Sequence, residues 1–222
     1  MTKEELKKEI TNNYTDYNDY QVTIDKNPGP WSTGNGMMHT GLVMCMYEAL
    51  GLLNSVDKMK FKTAVSLVQK SPGLYHRNPG RLDQNAHDDL IGIAAGSMVT
   101  DSKFHKDIAN HGLKNFFIWN NDGELKAQDF LGRHVFYMAY FLSAYLPLFW
   151  LTFFKLILVK PKSYKILLNY MIVESIAKIY PSAKTFRNNF VKSTKIAEEC
   201  ARYFGENHPV AKLAEYVEKT EL

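Results

Sequence analysis

The chain has 222 residues, of which 45% are apolar and 23% charged, and its formal net charge is +4 at pH 7. This length and apolar content predict one domain, residues 1–222, that buries a substantial core. The charge balance is only mildly basic, and no group of lysines and arginines is dense enough to indicate nucleic-acid binding. Most of the basic excess lies between Lys155 and Lys195. We interpret it as a solvated helix face, with a local electrostatic role as the alternative.

Cysteine usage and the first residues favour a cytoplasmic origin. Cys45 and Cys200 are far apart in the sequence, so both are predicted to be reduced and structural. Residues 1–10 are charged and helix-prone, without the apolar centre of a signal peptide. The sequence contains no Walker-type phosphate loop, no nucleophile elbow and no zinc-spaced cysteine set, which excludes several common enzyme classes.

Helical periodicity and Pro/Gly turn signals predict an all-α fold built as an array of helical hairpins. Residues 14–20 are predicted to form a loop, residues 22–24 an extended segment, and residues 116–119 a brief strand or packed turn. Asn207–Pro209 separates the last two helices, since proline suits a first helical turn. The predicted helices cover residues 4–13, 37–53, 57–68, 86–99, 103–111, 127–145, 148–158, 162–179, 183–204 and 209–219.

The apolar segment 136–159 allows two interpretations. A run of about 20 residues is long enough to span a bilayer. The lysines after it match the positively charged flank that membrane-spanning helices have on the cytoplasmic side. Pro147, however, divides the run into two pieces of ordinary core-helix length. The run also holds aromatic residues throughout rather than only at its ends. We therefore favour buried core helices, with a membrane-contacting hairpin as the alternative.

The densest group of polar side chains lies where a loop with two Pro-Gly steps becomes an apolar helix, within residues 72–97. A fold that only needed to pack has little use for so many ionisable groups at one junction. We predict a ligand-binding rim formed by this junction and by the loop that precedes the second helix. Its candidate ligand-binding residues are Trp31, His39, Tyr75, His76, Arg77, Arg81 and His87.

Two parts of the chain share a faint pattern of turn, polar loop, histidine and apolar helix. His39 and Leu42 in the first match His87 and Leu90 in the second in their spacing. Such units suit a ring of helical hairpins whose loops gather at one rim, and the arrangement resembles the incomplete α/α-toroid, or six-hairpin, class. The small residues 92–96 would let their helix approach its neighbours closely.

The pattern Arg-Asn-Pro-Gly followed by His-Asp-Asp-Leu-Ile-Gly, within residues 73–119, is also similar to helical proteins encoded by tailed bacteriophages. A resemblance to that group implies no established activity. The resemblance does imply a virion-associated or host-directed role, with phage proteins, host proteins or a glycan as partners.

Three acidic residues are candidate catalytic groups. Glycan cleavage usually needs paired carboxylates, and Asp83 with Asp88 or Asp89 is the obvious pair. A set of histidines and aspartates at the same junction could instead hold a divalent metal, although the sequence specifies neither the metal nor a cofactor. The alternative is structural, because acids in a first helical turn cap it and oppose the positive end of its macrodipole.

His87-Asp88 also resembles the two-residue core of the HD phosphohydrolases, which are helical and metal-dependent. That family requires an earlier histidine and a later aspartate. His39 or His76 are the candidates for the histidine, and Asp101, Asp107 or Asp129 for the aspartate.

The remaining rim residues also have structural roles as alternatives to ligand binding. Arg77 and Arg81 could hold a carboxylate or phosphate through paired hydrogen bonds, or pair with the nearby acids. Trp31, Tyr75 and Trp119 suit stacking on sugars, although packing over the core is the commoner role of such residues.

These observations lead to three hypotheses for function. The leading one is a phage-type virion-associated or accessory protein whose rim binds a partner, with a glycan as one candidate. The second is a glycan-acting or metal-dependent hydrolase that uses residues 76–89. The third is a membrane-associated protein that uses residues 136–159. An enzyme should present two carboxylates to an open pocket. A binding protein should instead have those acids engaged in caps and ion pairs, with an exposed apolar patch elsewhere.

Overall fold

The computed structural model describes residues 1–16, 23–25, 36–76, 87–115, 135–143, 145, 147, 149–158 and 165–220. Within these ranges the chain is mostly helical, which confirms the all-α prediction. The helices are α1 (Lys3–Asn13), α2 (Gly36–Ala49), α3 (Ser55–Val68), α4 (His87–Val99), α5 (Phe104–Lys114), α6 (Val135–Leu142), α7 (Phe149–Leu158), α8 (Lys165–Ile179), α9 (Lys184–Thr194), α10 (Ile196–Phe204) and α11 (Pro209–Thr220).

Helices α2, α4 and α8 form the centre of the core. They carry apolar or small residues around most of their circumference, as expected of helices that are enclosed on all sides. Helices α2 and α4 cross at Gly41 and Gly92, where their backbones touch. A Cβ atom on Gly41 would lie 2.5 Å from the Gly92 Cα, and one on Gly92 would lie 2.6 Å from the Met38 Cα. The small residues of α4 therefore permit the close approach that the sequence predicted.

Helix α3 begins at a capping box and covers one side of α4. Asn54 accepts a hydrogen bond from the Asp57 amide at 2.9 Å, and Asp57 accepts one from the Asn54 amide at 3.0 Å. This reciprocal pair satisfies amides that the first helical turn leaves free. Phe61 then fills the space above Gly96, where a Cβ would lie 2.6 Å from the Phe61 Cζ.

Two short antiparallel hairpins interrupt the helices in the described part of the chain. Strands β1 (Tyr14–Asp16) and β2 (Thr23–Asp25) form one, so the predicted loop at residues 14–20 is wrong for its first three residues. Strands β3 (Gln69–Ser71) and β4 (Leu74–Tyr75) form the other. Gly73 adopts a φ of 87° in its turn and packs directly on α5, because a Cβ there would lie 3.0 Å from the Asp107 carbonyl carbon.

Helices α8 to α11 complete the core. The single predicted helix at residues 183–204 is wrong, because Lys195 adopts a left-handed φ of 49° and separates α9 from α10. A 3-10 turn, Pro181–Ala183, precedes α9. Helix α11 packs on α10 and on α1, and the Tyr216 hydroxyl donates to the Met1 carbonyl at 2.6 Å.

Pro147 lies between α6 and α7, which confirms the predicted division of the apolar segment. Tyr140 and Phe153 are buried, and the Tyr140 hydroxyl lies 2.9 Å from the Ser175 hydroxyl of α8. Other residues of the same segment, including Trp150 and Leu151, are exposed. Within the described ranges, no helix has the length and apolar character needed to cross a membrane. The toroidal ring stays a prediction.

Candidate functional site

The structure brings the two predicted loop-to-helix junctions together through Asp89. This side chain is only 2% exposed, and its Oδ1 accepts a hydrogen bond from the Met38 backbone amide at 3.1 Å. Asp89 lies in the first turn of α4, and Met38 lies in the first turn of α2. The carboxylate therefore lies beside the positive ends of two helices, where a negative charge is stabilised.

Two candidate ligand-binding residues of the rim are buried among aromatic side chains. His39 is 1% exposed, its Nε2 lies 3.3 Å from the Tyr203 hydroxyl, and the Phe204 ring meets it edge-on. The Tyr75 hydroxyl accepts a hydrogen bond from the Gln69 side-chain amide at 3.4 Å, and burial raises the pKa of this hydroxyl. His39 thus joins α2 to α10, and Tyr75 joins β4 to β3.

Asp88 and His76 are half-buried, so each keeps an accessible surface. His87 begins α4, but its side chain lies outside the described residues. Four further candidates lie wholly outside them: Trp31, Arg77, Arg81 and Asp83. The ligand-binding and catalytic roles of these residues stay predictions.

Part of the predicted metal site, including Asp83, lies outside the described residues. Among the described residues, no three His, Cys, Asp or Glu side chains lie close enough together to hold a metal ion. His105 is placed 3.0 Å from the Ser97 hydroxyl through its Nδ1, a geometry that resembles a nucleophile and its base. Ser97 is fully buried, and its hydroxyl also accepts the His105 amide and donates to the Ser102 carbonyl. This pair therefore fastens the turn between α4 and α5.

A cavity of about 460 Å³ lies on another side of the molecule. It is formed where the last turns of α2 and α8 meet the 3-10 turn and the first turn of α9. Its lining is strongly charged, with alanines and a proline between the charged groups. The lining residues are Glu48, Ala49, Glu174, Ala177, Lys178, Pro181, Lys184, Arg187 and Asn188.

Two ion pairs lie in the cavity wall. The Arg187 Nε donates to the Glu174 Oε2 at 2.6 Å, and both side chains are almost fully buried. The Lys178 ammonium lies 2.6 Å from the Glu48 Oε1 at a more exposed position. Burial raises the pKa of Glu174, while the Arg187 guanidinium acts in the opposite direction. The hydrogen bond to Glu48 raises the pKa of Lys178.

Lys184 differs from the other cations of the cavity. Lys178 and Arg187 each have a carboxylate partner, whereas Lys184 has no ion pair within the described part of the chain. The described lining thus holds three cations against two carboxylates. Lys184 is exposed, so an anion that enters the cavity can reach its ammonium group without breaking an ion pair.

The sequence did not identify this cavity. Its charged residues come from helices that are distant in the chain, so no local motif joins them. One available signal was Glu174, a single acid within the apolar segment 166–177. A second was the basic excess between Lys155 and Lys195, which we interpreted as a solvated face. For Lys178, Lys184 and Arg187 the alternative interpretation, a local electrostatic role, fits their positions in the cavity wall.

Comparison with protein-family models, with curated proteins and with solved structures returned no match for this chain. The resemblance to phage-encoded helical proteins therefore stays a prediction from the sequence.

Proposed function

We propose that this chain is a binding protein that holds a ligand carrying one anionic group and several hydroxyls, such as an acidic sugar, in the cavity beside Lys184. The observation that supports this proposal is the position of Lys184, a cation without an ion-pair partner in the described structure, in the wall of an open cavity. The proposal agrees with the phage-type accessory role expected from the sequence, with a glycan as partner.

The α9 side of the cavity suits the anionic group. Lys184 and Arg187 lie in the first turn of α9, whose macrodipole places partial positive charge at that end. Asn188 adds an amide that both donates and accepts hydrogen bonds. A carboxylate bound between Lys184 and Asn188 would supply the charge that this side lacks.

The opposite side suits hydroxyl groups. Glu48 and Ala49 belong to the last turn of α2, and Ala177 belongs to the last turn of α8. Carbonyl groups in a last turn have no helical donor. The Glu48 carbonyl accepts the Gly51 amide at 3.1 Å, so the carbonyl groups of Ala49 and Ala177 are the ones offered to a ligand. Together with the Glu48 carboxylate they provide acceptors, and sugar hydroxyls provide donors.

One observation favours a hydrolase as the second candidate. Glu174 is a buried carboxyl with a raised pKa, as a general acid requires, and Glu48 provides a second carboxylate in the same cavity. Both carboxylates are engaged in ion pairs at 2.6 Å, however, which leaves neither of them free to transfer a proton. This arrangement is typical of a binding site, so we place binding first.

Isothermal titration calorimetry with glucuronate tests the proposal, with glucose as the neutral analogue. We expect glucuronate to bind and glucose to bind at least about tenfold more weakly, because one charge-assisted contact contributes roughly 1.5–3 kcal/mol. Lys184→Met should remove most of the binding. Lys192→Met, an exposed lysine further along the same helix, is the matched control and should retain it.

Three results would contradict the proposal. The first is the absence of glucuronate binding, and the second is equal binding by wild type and Lys184→Met. The third is release of glucuronate from an aryl glucuronide, which would favour the hydrolase, provided that Glu174→Gln stops the release while leaving the fold intact by circular dichroism.

A further inference from the structure

The α7 side of the molecule carries an exposed apolar patch, which we call the Trp150 patch. It consists of Tyr145, Trp150 and Leu151, whose exposed fractions are 46%, 55% and 53%. Pro147, also exposed, lies within it. Large apolar side chains that cluster at such exposure mark a contact surface for another molecule or for a membrane.

The patch is held rigidly by the core beneath it. Trp150 meets the buried Phe153 edge-on, with 5.9 Å between ring centroids, and Phe153 stacks on Phe186 of α9 at 3.9 Å. Neighbouring Thr152 is also buried. Helix α7 therefore presents one face to the core and another to solvent, and the exposed face needs little ordering before it binds.

A cation beside the patch, together with the charge pattern of the sequence, indicates which partner it binds. The Lys106 ammonium of α5 lies 5.9 Å from the centre of the Tyr145 ring, and the Tyr145 hydroxyl donates to the Lys106 carbonyl at 3.5 Å. In the sequence, no acidic residue occurs between Asp129 and Glu174. The same stretch contains Arg133, Lys155, Lys160, Lys162 and Lys165.

We propose that the Trp150 patch docks on an anionic lipid surface, with α7 lying in the membrane–water interface. Tryptophan and tyrosine favour that interface, because each has an apolar ring and a polar group. Lysines near the surface add roughly 1 kcal/mol each when the lipid is anionic. A second copy of this chain fits the patch less well, since a symmetric contact would bring two copies of the Lys106 ammonium towards one another.

Vesicle co-sedimentation of the full chain tests this proposal, with vesicles of phosphatidylcholine alone and of phosphatidylcholine mixed with phosphatidylglycerol. We expect binding to the anionic vesicles, and added salt should weaken it because salt screens the lysines. Trp150→Ser/Leu151→Ser should lower the partition coefficient by roughly tenfold or more. Both residues are exposed, so the thermal unfolding midpoint of the variant should change little.

The matched control is Val56→Ser/Met59→Ser. It removes two equally exposed apolar residues from α3, which also carries lysines, at Lys58, Lys60 and Lys62. This variant should bind the anionic vesicles like the wild type.

Three outcomes would overturn the proposal. The first is equal binding to neutral and anionic vesicles, and the second is equal loss in the two double variants. The third is the absence of binding to the anionic vesicles. If a dimer that Trp150→Ser/Leu151→Ser dissociates is then found in sedimentation velocity, the patch belongs to a contact with a second copy of the chain.

Discussion

The Asp89 carboxylate accepts the Met38 backbone amide at 3.1 Å, and this contact joins the first turns of α4 and α2. The two residues come from separate loop-to-helix junctions, 51 positions apart in the chain. A buried carboxylate at this point stabilises both helix ends at once. This position gives Asp89 a structural role whether or not the neighbouring rim binds a ligand.

Asp89→Ala is expected to lower the free energy of unfolding by about 2–3 kcal/mol, because it removes a buried charge-assisted acceptor and leaves an amide unpaired. Asp89→Asn should cost less, since its carbonyl still accepts the Met38 amide. Asp88→Ala, at the half-buried neighbouring position, is the control and should cost under about 1 kcal/mol. Urea unfolding at pH 7 measures all three. Wild-type stability in Asp89→Ala would show that the contact is unimportant.

At the crossing of α2 and α4, even one added methyl group should strongly lower the stability of the protein. Gly41→Ala and Gly92→Ala should each lower stability by about 3 kcal/mol or more, because their new methyl groups would overlap backbone atoms. The double variant should cost less than the sum, since one separation of the helices relieves both overlaps.

Thermal melts followed by circular dichroism measure the effect of these glycine variants. Gly51→Asn is the control, because Gly51 faces open space and asparagine tolerates its left-handed φ of 68°. Melting midpoints for Gly41→Ala and Gly92→Ala close to that of Gly51→Asn would contradict backbone contact between the two helices.

The core helices were predictable because the residue patterns that specify them lie close together in the sequence. The glycines at positions 92 and 96 indicate close packing by their small size alone, and Pro147 correctly divided the apolar segment. The acids at the start of α4 indicated a helix N-terminus, as a structural alternative to catalysis. Sequence could not show that Asp89 accepts an amide of α2, because that contact depends on how two distant helices pack.

The cavity and the break at Lys195 were not predictable for different reasons. Glu48, Glu174 and Arg187 meet only after α2, α8 and α9 have packed, and no spacing along the chain encodes that meeting. Lys195 adopts a conformation that glycine or asparagine usually occupies, so the chain carries no local stop signal at this position. Tertiary packing of α10 on α11 therefore decides where α9 ends.

His105 predicts a loss of stability at acidic pH. Burial, with a smaller contribution from Lys106, lowers the pKa of this imidazole to about 4. A folded-state pKa below the unfolded value of about 6.5 means that the stabilisation is complete above pH 6.5 and decreases as the pH falls towards 4. Between pH 7 and pH 4.5 the loss is about 2–3 kcal/mol.

His105→Gln tests this pH dependence, because glutamine can still hydrogen-bond to Ser97 but does not titrate. Urea unfolding of both proteins at pH 7 and pH 4.5 gives the comparison. The difference in stability between wild type and variant should decrease as the pH falls. A constant difference would show that His105 does not titrate in this range.

The buried pair Arg187–Glu174 predicts an asymmetric response to mutation. Arg187→Met leaves a buried carboxylate unpaired and should lower stability by about 3–5 kcal/mol at pH 7. Arg187→Met/Glu174→Met removes both charges and should be less destabilised than Arg187→Met alone. The exposed pair Arg202–Glu198 is the control, and its double-mutant cycle should give under about 1 kcal/mol.

The Arg187–Glu174 pair also predicts how the stability of Arg187→Met depends on pH. Burial already raises the pKa of Glu174, and removing Arg187 takes away the charge that opposes this shift. A carboxyl whose folded-state pKa is raised contributes stability below its unfolded pKa and loses it as the pH rises through the folded value. Relative to wild type at each pH, Arg187→Met should therefore be more stable at pH 5 than at pH 7. The opposite trend in urea unfolding would mean that Glu174 stays ionised by contact with another cation of the cavity, either Lys178 or Lys184.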